Sequence, residues 1–240
     1  MTDIRLIDMR HEVIDGGVGR YSRTDNGYVT IGRAYHHTAV LWLRPDATEV
    51  EERNHVHVID QYHHGKGWGG FGYNGIVFPS GRAYFCGDWD GARAHVSSRN
   101  HELDGICFAG IFVGREPTDA AIAGARLLRG LSVEAHGEIP EAGHGAWALP
   151  QFPTGCPGDD YGENWIPRIA EEENVAVTRV YQPEGKPEVY REDGAHIPDF
   201  DTYEALRQVA EESGGRWEHV MLPVGHRLWR QFDLPPSYLA

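Results

Sequence analysis

The stretch GKGWGGFGYNG, residues 65–75, holds six glycines in eleven positions, and it constrains the fold more than any other segment. Glycine loses the most backbone freedom on ordering and offers no side chain to pack, so this stretch is neither a regular helix nor a central strand. It reads as a loop running into a short strand, IVF. PSGR is then a turn, and AYFCGDW after it completes a hairpin.

The elements around that loop follow from pattern. Residues 28–43 are apolar and β-rich, which predicts a strand. Residues 45–64, including EVEERNHVHVIDQYHH, read as a helix. The run GICFAGIFVG, residues 105–114, is the best central strand. Residues 117–136 form the clearest helix, with Thr118 as N-cap, Asp119 in the first turn, and Ile122, Ala125, Leu128 and Leu131 as an apolar stripe. Glycines and prolines fill residues 137–158, and ENWIPRIAEEEN is a second helix. Beyond it the composition shifts, with strand-turn-strand and then helix signals. This places a boundary near residue 176 and divides the chain into domains 1–175 and 176–240.

Composition removes several classes of function. Hydrophobic residues make up 40% and aromatics 11%, enough for a packed globule. The net charge of -14 is spread along the chain and argues against nucleic acid and anionic membranes, which require clustered Lys and Arg. No run approaches the roughly 18 apolar residues of a membrane span. The N-terminus MTDIRLIDMRHEVIDGG carries acids where a secretory signal has a basic region and an apolar core. A protein made in the cytoplasm is expected, released by other means if its target lies outside. Cys86, Cys107 and Cys156 are an odd set without a C-x-x-C pair, so a disulfide framework or zinc ribbon is not expected.

The fourteen histidines carry the chemistry. In AYHHTAV, residues 34–40, His36 and His37 end the predicted strand. Neighbouring strand side chains point to opposite faces, so at most one of them serves a given site. A strand histidine, a distant second histidine and a cysteine are the ingredients of a catalytic zinc site, in which three protein ligands leave one position open. The stretch GHGAWALPQFPTGCPGDD offers His144 and Cys156 on either side of a loop, while His136 is a competing histidine at the end of the helix predicted over residues 117–136.

Taken in order along the chain, these motifs are far more specific. The sequence resembles the zinc-dependent type-2 N-acetylmuramoyl-L-alanine amidases, a superfamily that includes phage lysozyme-like amidases and peptidoglycan recognition proteins. AYHHTA matches the first-ligand strand. KGWGGFGYNGIVFPSGRAYFCG is similar to the family's G-W-x-x-x-G-Y stretch, and AHVSSRN to its A-H-x-x-x-x-N segment. GICFAGIFVG with PTDAAIAGARLL matches the central strand and following helix, and GH and CPGDD close the site. The resemblance covers roughly residues 28–170.

The resemblance implies an α/β fold, a mixed central β-sheet flanked by helices with a zinc groove at its edge, plus a small C-terminal α+β module. It implies Zn2+ held by His36, His144 and Cys156, with peptidoglycan or a muropeptide as partner. The reaction would be hydrolysis of the amide between the lactyl group of N-acetylmuramic acid and L-alanine. Tyr73 and Thr154 occupy positions where family members stabilise the oxyanion. Trp68, His37 and Asn100 are groove or substrate-side candidates, with His37 directed away from the metal; His95 and Asn100 are expected to support the fold. Relatives that bind peptidoglycan without cutting it commonly lose the cysteine, so Cys156 favours an enzyme. The missing signal fits a phage endolysin and also a muropeptide-recycling enzyme.

The departures from the family pattern are local. Gly145 follows His144 where arginine is usual, and the interval to Cys156 is longer than in compact members. Leu103 and Asp104 make the start of the central strand more polar. The stretch VYREDGAHIPDFDTYEALR resembles a short module with the pattern G-x-H-I-P-D-x-x-T-x-x-A-L that recurs beside wall-associated domains.

Overall fold

The computed structural model describes residues 3–40, 43–158 and 161–170, together with the strands at 177–183, 189–191, 196–197 and 216–222; for 161–164 and these four strands the description is of backbone alone. The chain forms two compact units, residues 1–171 and 172–240.

The first unit is built on a six-stranded mixed sheet: β1 (Arg5–Asp8), β2 (Gly32–His37), β3 (Gly75–Val77), β4 (Arg82–Phe85), β5 (Leu103–Phe108) and β6 (Glu141–Gly143). Their spatial order is β1-β4-β3-β5-β2-β6. The β3–β4 hairpin is antiparallel, and the other neighbouring pairs are parallel. Helices α1 (Glu49–Gly65) and α2 (Asp119–His136) are followed by a single turn, α3 (His144–Trp147), and by α4 (Tyr161–Ala170).

Alternation along the strands sorts the core into two layers. Tyr35, Ile106 and Phe108 pack with Ile122, Ala125 and Leu128 of α2 and Trp165 of α4. Ile76, Tyr84 and Cys107 face the other way, with Val56 and Ile59 of α1. The sheet is thus flanked by helices on both faces, as expected.

Local chemistry sets the helix ends. Thr48 caps α1 in a reciprocal capping box with Glu51, and the Thr118 hydroxyl accepts from the Ala121 N–H at 3.1 Å, satisfying otherwise orphaned donors. At the other end of α2, Gly137 takes a φ of 75° and closes the helix.

Two predicted strands are shorter than their apolar runs. Residues 28–43 yield only Gly32–His37, because Val29 and Ile31 lie exposed and Ala39 turns the chain at a positive φ of 54°. The run 105–114 stays in the sheet only to Phe108; Gly110, at positive φ, bends it away, leaving Ile111 and Val113 exposed. Strands β1 and β6 have four and three residues, too short for a periodic signal.

Buried charges tie the layers together. Glu52 of α1 accepts from Arg82 Nε at 2.6 Å, the Tyr84 hydroxyl at 2.8 Å and the Ser80 hydroxyl at 2.7 Å. The polar start of β5 has a similar cause. Asp104 is completely buried, and it pairs with Arg23 at 2.7 Å and accepts from the Ser132 hydroxyl at 2.6 Å.

In the second unit, β7 (Val177–Pro183), β8 (Val189–Arg191), β9 (His196–Ile197) and β10 (Arg216–Leu222) form a sheet in the order β10-β7-β8-β9. The helix expected after the strand-turn-strand of this domain lies outside the described residues. Among the described residues no helix is long and apolar enough to cross a membrane.

Candidate metal centre

His36 lies near the C-terminal end of β2, opposite Cys107 of β5. Its ring is on the α1 side of the sheet, buried, with one nitrogen toward each of two neighbours. Nδ1 is 3.8 Å from the Cys156 sulfur, and Nε2 is 2.9 Å from Nδ1 of His95. The His144 ring centroid is 4.6 Å from that of His36. One ligand atom from each of His36, His144 and Cys156 fits within a 4.8 Å span. The three could therefore hold a metal ion.

Local backbone chemistry brings the last two together. Strand β6 pairs with β2 and ends at Gly143, so His144 begins α3 beside the end of β2. Trp147 of α3 donates to the Arg33 carbonyl at 2.9 Å, which anchors the turn to β2. Gly145 donates to the Cys156 carbonyl at 2.8 Å. A Cβ at Gly143 would lie 2.6 Å from Pro157 and one at Gly145 2.6 Å from the Thr154 carbonyl oxygen. Both neighbours of His144 are glycine because the cysteine segment passes directly over them.

The donor set suits zinc. Bond lengths of about 2.0–2.1 Å to nitrogen and about 2.3 Å to sulfur separate the two ligand atoms by about 3.6 Å at a tetrahedral angle; the observed 3.8 Å between Cys156 and His36 is close to this. Imidazole and thiolate are also the donors that favour zinc over hard, oxygen-preferring cations. Burial holds the His144 ring down to about 4 and lowers His36 well below its ordinary value, with the neighbouring histidines adding to the effect. Both are therefore neutral near pH 7, the form in which imidazole ligates. Burial pushes the Cys156 thiol up to about 12, against the pull of the His37 N–H, which donates to its sulfur at 3.4 Å. A cation is what would make this thiol ionise near neutrality.

Tyr73, His37 and Thr154 adjoin this cluster, whereas His136 does not. Tyr73 is half-buried with its ring centroid 5.1 Å from His36. Burial, reinforced by Cys107 and Cys156, raises its phenol well above the usual value, so it is a donor at neutral pH. Trp68 stacks on His63 at 4.7 Å and keeps part of its surface exposed. Thr154 is exposed, and its hydroxyl accepts from the Cys156 N–H at 3.2 Å. The His37 ring turns toward Phe112, whose N–H it accepts at 3.4 Å. Asn100 accepts from the N–H groups of His95 and Val96 at 2.9 and 2.8 Å, so it organises a loop. His136 lies at the N-terminal ends of β2 and β5, 3.7 Å from Asp104 and 3.3 Å from the Trp89 carbonyl.

Nothing in the sequence singles out Arg23, completely enclosed at the base of this arrangement, and His95 is expected from it to support the fold or line the groove rather than to touch a ligand. Only the A-H-x-x-x-x-N pattern pointed toward His95.

No family model and no curated protein matches this chain. Solved structures do. Drosophila peptidoglycan recognition protein SA matches at 20% identity and a TM-score of 0.53, over 68% of this chain and 90% of its own. Human PGRP-IBETAC, in complex with glycosamyl muramyl pentapeptide, matches at 20% identity and 0.51, over 66% and 93%. An endolysin N-acetylmuramoyl-L-alanine amidase from Clostridium intestinale gives 18% identity and 0.48, over 71% and 99%. The first unit therefore has the fold of the peptidoglycan recognition proteins.

Proposed function

We propose that the first unit is a zinc-dependent amidase of peptidoglycan. It would hydrolyse the amide between the lactyl group of N-acetylmuramic acid and L-alanine of the stem peptide. The observation that carries this reading is the convergence of His36, His144 and Cys156 within 4.8 Å, beside the protonated Tyr73. The muramyl pentapeptide named for the human neighbour supports the substrate class.

His36 and His144 would supply imidazole nitrogens and Cys156 a thiolate sulfur. When bound, zinc supplies a Lewis acid for the scissile carbonyl and lowers the pKa of water toward neutrality. Tyr73 would donate a hydrogen bond to the carbonyl oxygen as charge develops, and the outward Thr154 hydroxyl would add a second donor. Trp68, held against His63, would present an aromatic floor to the glycopeptide. The GKGWGGFG loop would leave room for it, since a Cβ at Gly67 or Gly69 meets nothing within 4 Å.

The test is amide cleavage on purified sacculi and on a soluble muropeptide, with zinc quantified in the same preparation. Wild type, Cys156→Ala and chelator-treated protein are compared. New L-alanine amino termini should appear only with zinc-replete wild type. Preference for sacculi would favour a lytic endolysin, and preference for the fragment a recycling enzyme. Zinc bound at one per chain without cleavage would sink the amidase claim and leave a peptidoglycan-recognition module.

A further inference from the structure

We propose that His95 is a positioning residue: it fixes both the tautomer and the rotation of the His36 ring, so that the Nδ1 lone pair points at Cys156. This rests on the zinc reading above.

His95 Nε2 lies 3.0 Å from the Leu103 carbonyl oxygen, which has no proton to give, so Nε2 of His95 carries the hydrogen. The same carbonyl also accepts from the Arg23 guanidinium. A second cation beside that guanidinium, in a buried site, is disfavoured, so His95 is a neutral ring with its lone pair on Nδ1. That lone pair is 2.9 Å from Nε2 of His36. His36 must then donate, its hydrogen resides on Nε2, and Nδ1 is left unprotonated, 3.8 Å from the Cys156 sulfur. A metal-ligating histidine commonly gives its second N–H to a carboxylate, carbonyl or water. Here the acceptor is another histidine, which takes its orientation from the backbone of the central strand.

The surroundings hold His95 rigidly enough for this. Asn100 clamps the N–H groups of His95 and Val96. Gly105 of β5 lies against the imidazole, where a Cβ would come 3.0 Å from ring atoms. The Arg23–Asp104 pair fixes the far side of the Leu103 carbonyl. The two ring centroids lie 5.0 Å apart while the facing nitrogens approach to 2.9 Å, a separation that sets the two rings nearly end to end along the N–H···N line.

The experiment compares wild type, His95→Phe and His95→Asn. Phenylalanine keeps the ring volume but offers no acceptor, while asparagine places an oxygen where Nδ1 was. Zinc affinity is measured by competition with a chromophoric chelator. The His36 tautomer is read from long-range 1H–15N correlations of the zinc-free protein. Wild type should show His36 protonated on Nε2. His95→Phe should bind zinc about 10- to 100-fold more weakly with His36 exchanging between tautomers, and His95→Asn should recover most of the affinity. Circular dichroism confirms that each variant is folded, and the wild-type tautomer tests the proposal without any variant.

A wild-type His36 protonated on Nδ1, or a folded His95→Phe that binds zinc as tightly as wild type, overturns the proposal. Neither readout involves amide cleavage. A protein that binds zinc through this relay but cuts nothing refutes the amidase reading alone, whereas a wild type with no zinc affinity refutes both.

Discussion

The N–H of Gly145 donates to the carbonyl oxygen of Cys156 at 2.8 Å, so the segment between His144 and Cys156 closes on itself at its base. Extra residues between two ligands therefore need not separate them. A side chain at position 145 would press on the Thr154 carbonyl at 2.6 Å. Gly145→Ala should weaken zinc binding, measured by chelator competition, while the sheet stays folded by circular dichroism. Gly130→Ala is the control: that exposed helical position is open, with nothing within 4 Å, and the change should add up to about 1 kcal/mol of stability. Unchanged zinc affinity in Gly145→Ala would show that the closed loop does not set ligand geometry.

On the amidase reading, Tyr73→Phe removes a donor without removing a ligand. The rate constant kcat should fall by about 10²- to 10³-fold, with zinc content and thermal midpoint close to wild type. Steady-state kinetics with metal analysis checks this, and full activity in the variant would remove Tyr73 from the chemistry.

Acid should destabilise the fold through His63. Burial lowers its imidazole from 6.5 to about 4, and its Nδ1 accepts from the Gly72 N–H at 3.0 Å, which only an unprotonated nitrogen can do. Between pH 6.5 and 4 the unfolded chain binds the proton that the folded chain refuses, so stability rises with pH across that window and is lost on acidification. The loss attributable to this residue should be about 3 kcal/mol. Denaturant unfolding of zinc-free wild type and His63→Asn between those limits should give a shallower pH slope for the variant; equal slopes would refute the assignment.

The Arg23–Asp104 pair can be tested by a double-mutant cycle. Arg23→Leu leaves a buried carboxylate without its cation and should cost about 3–5 kcal/mol. Adding Asp104→Asn removes the orphaned charge and should recover part of that loss, read as a coupling energy in chemical denaturation. Strictly additive losses would mean the two side chains do not stabilise each other.

The sequence by itself determined the elements whose signal is local. The α2 cap at Thr118 and its stripe through Leu128 are written in adjacent residues. So are the β3–β4 hairpin about PSGR and the interruption by glycines 65–75. The resemblance in motif order along the chain also pointed to His36, His144 and Cys156 as a ligand set. Tertiary structure decided what depends on partners distant in sequence. Strand β6 exists because three residues find the exposed edge of β2. The central strand stops at Phe108 although its apolar run continues, because Gly110 turns the chain and Phe112 packs back against Phe108 off the sheet. A polar Asp104 in a central strand looked out of place until Arg23, 81 positions away, was seen beside it. The direction of the His36 ring has the same origin: nothing in AYHHTAV specifies which nitrogen bears the hydrogen. That is settled by His95 and the Leu103 carbonyl, which the fold alone brings within hydrogen-bonding distance.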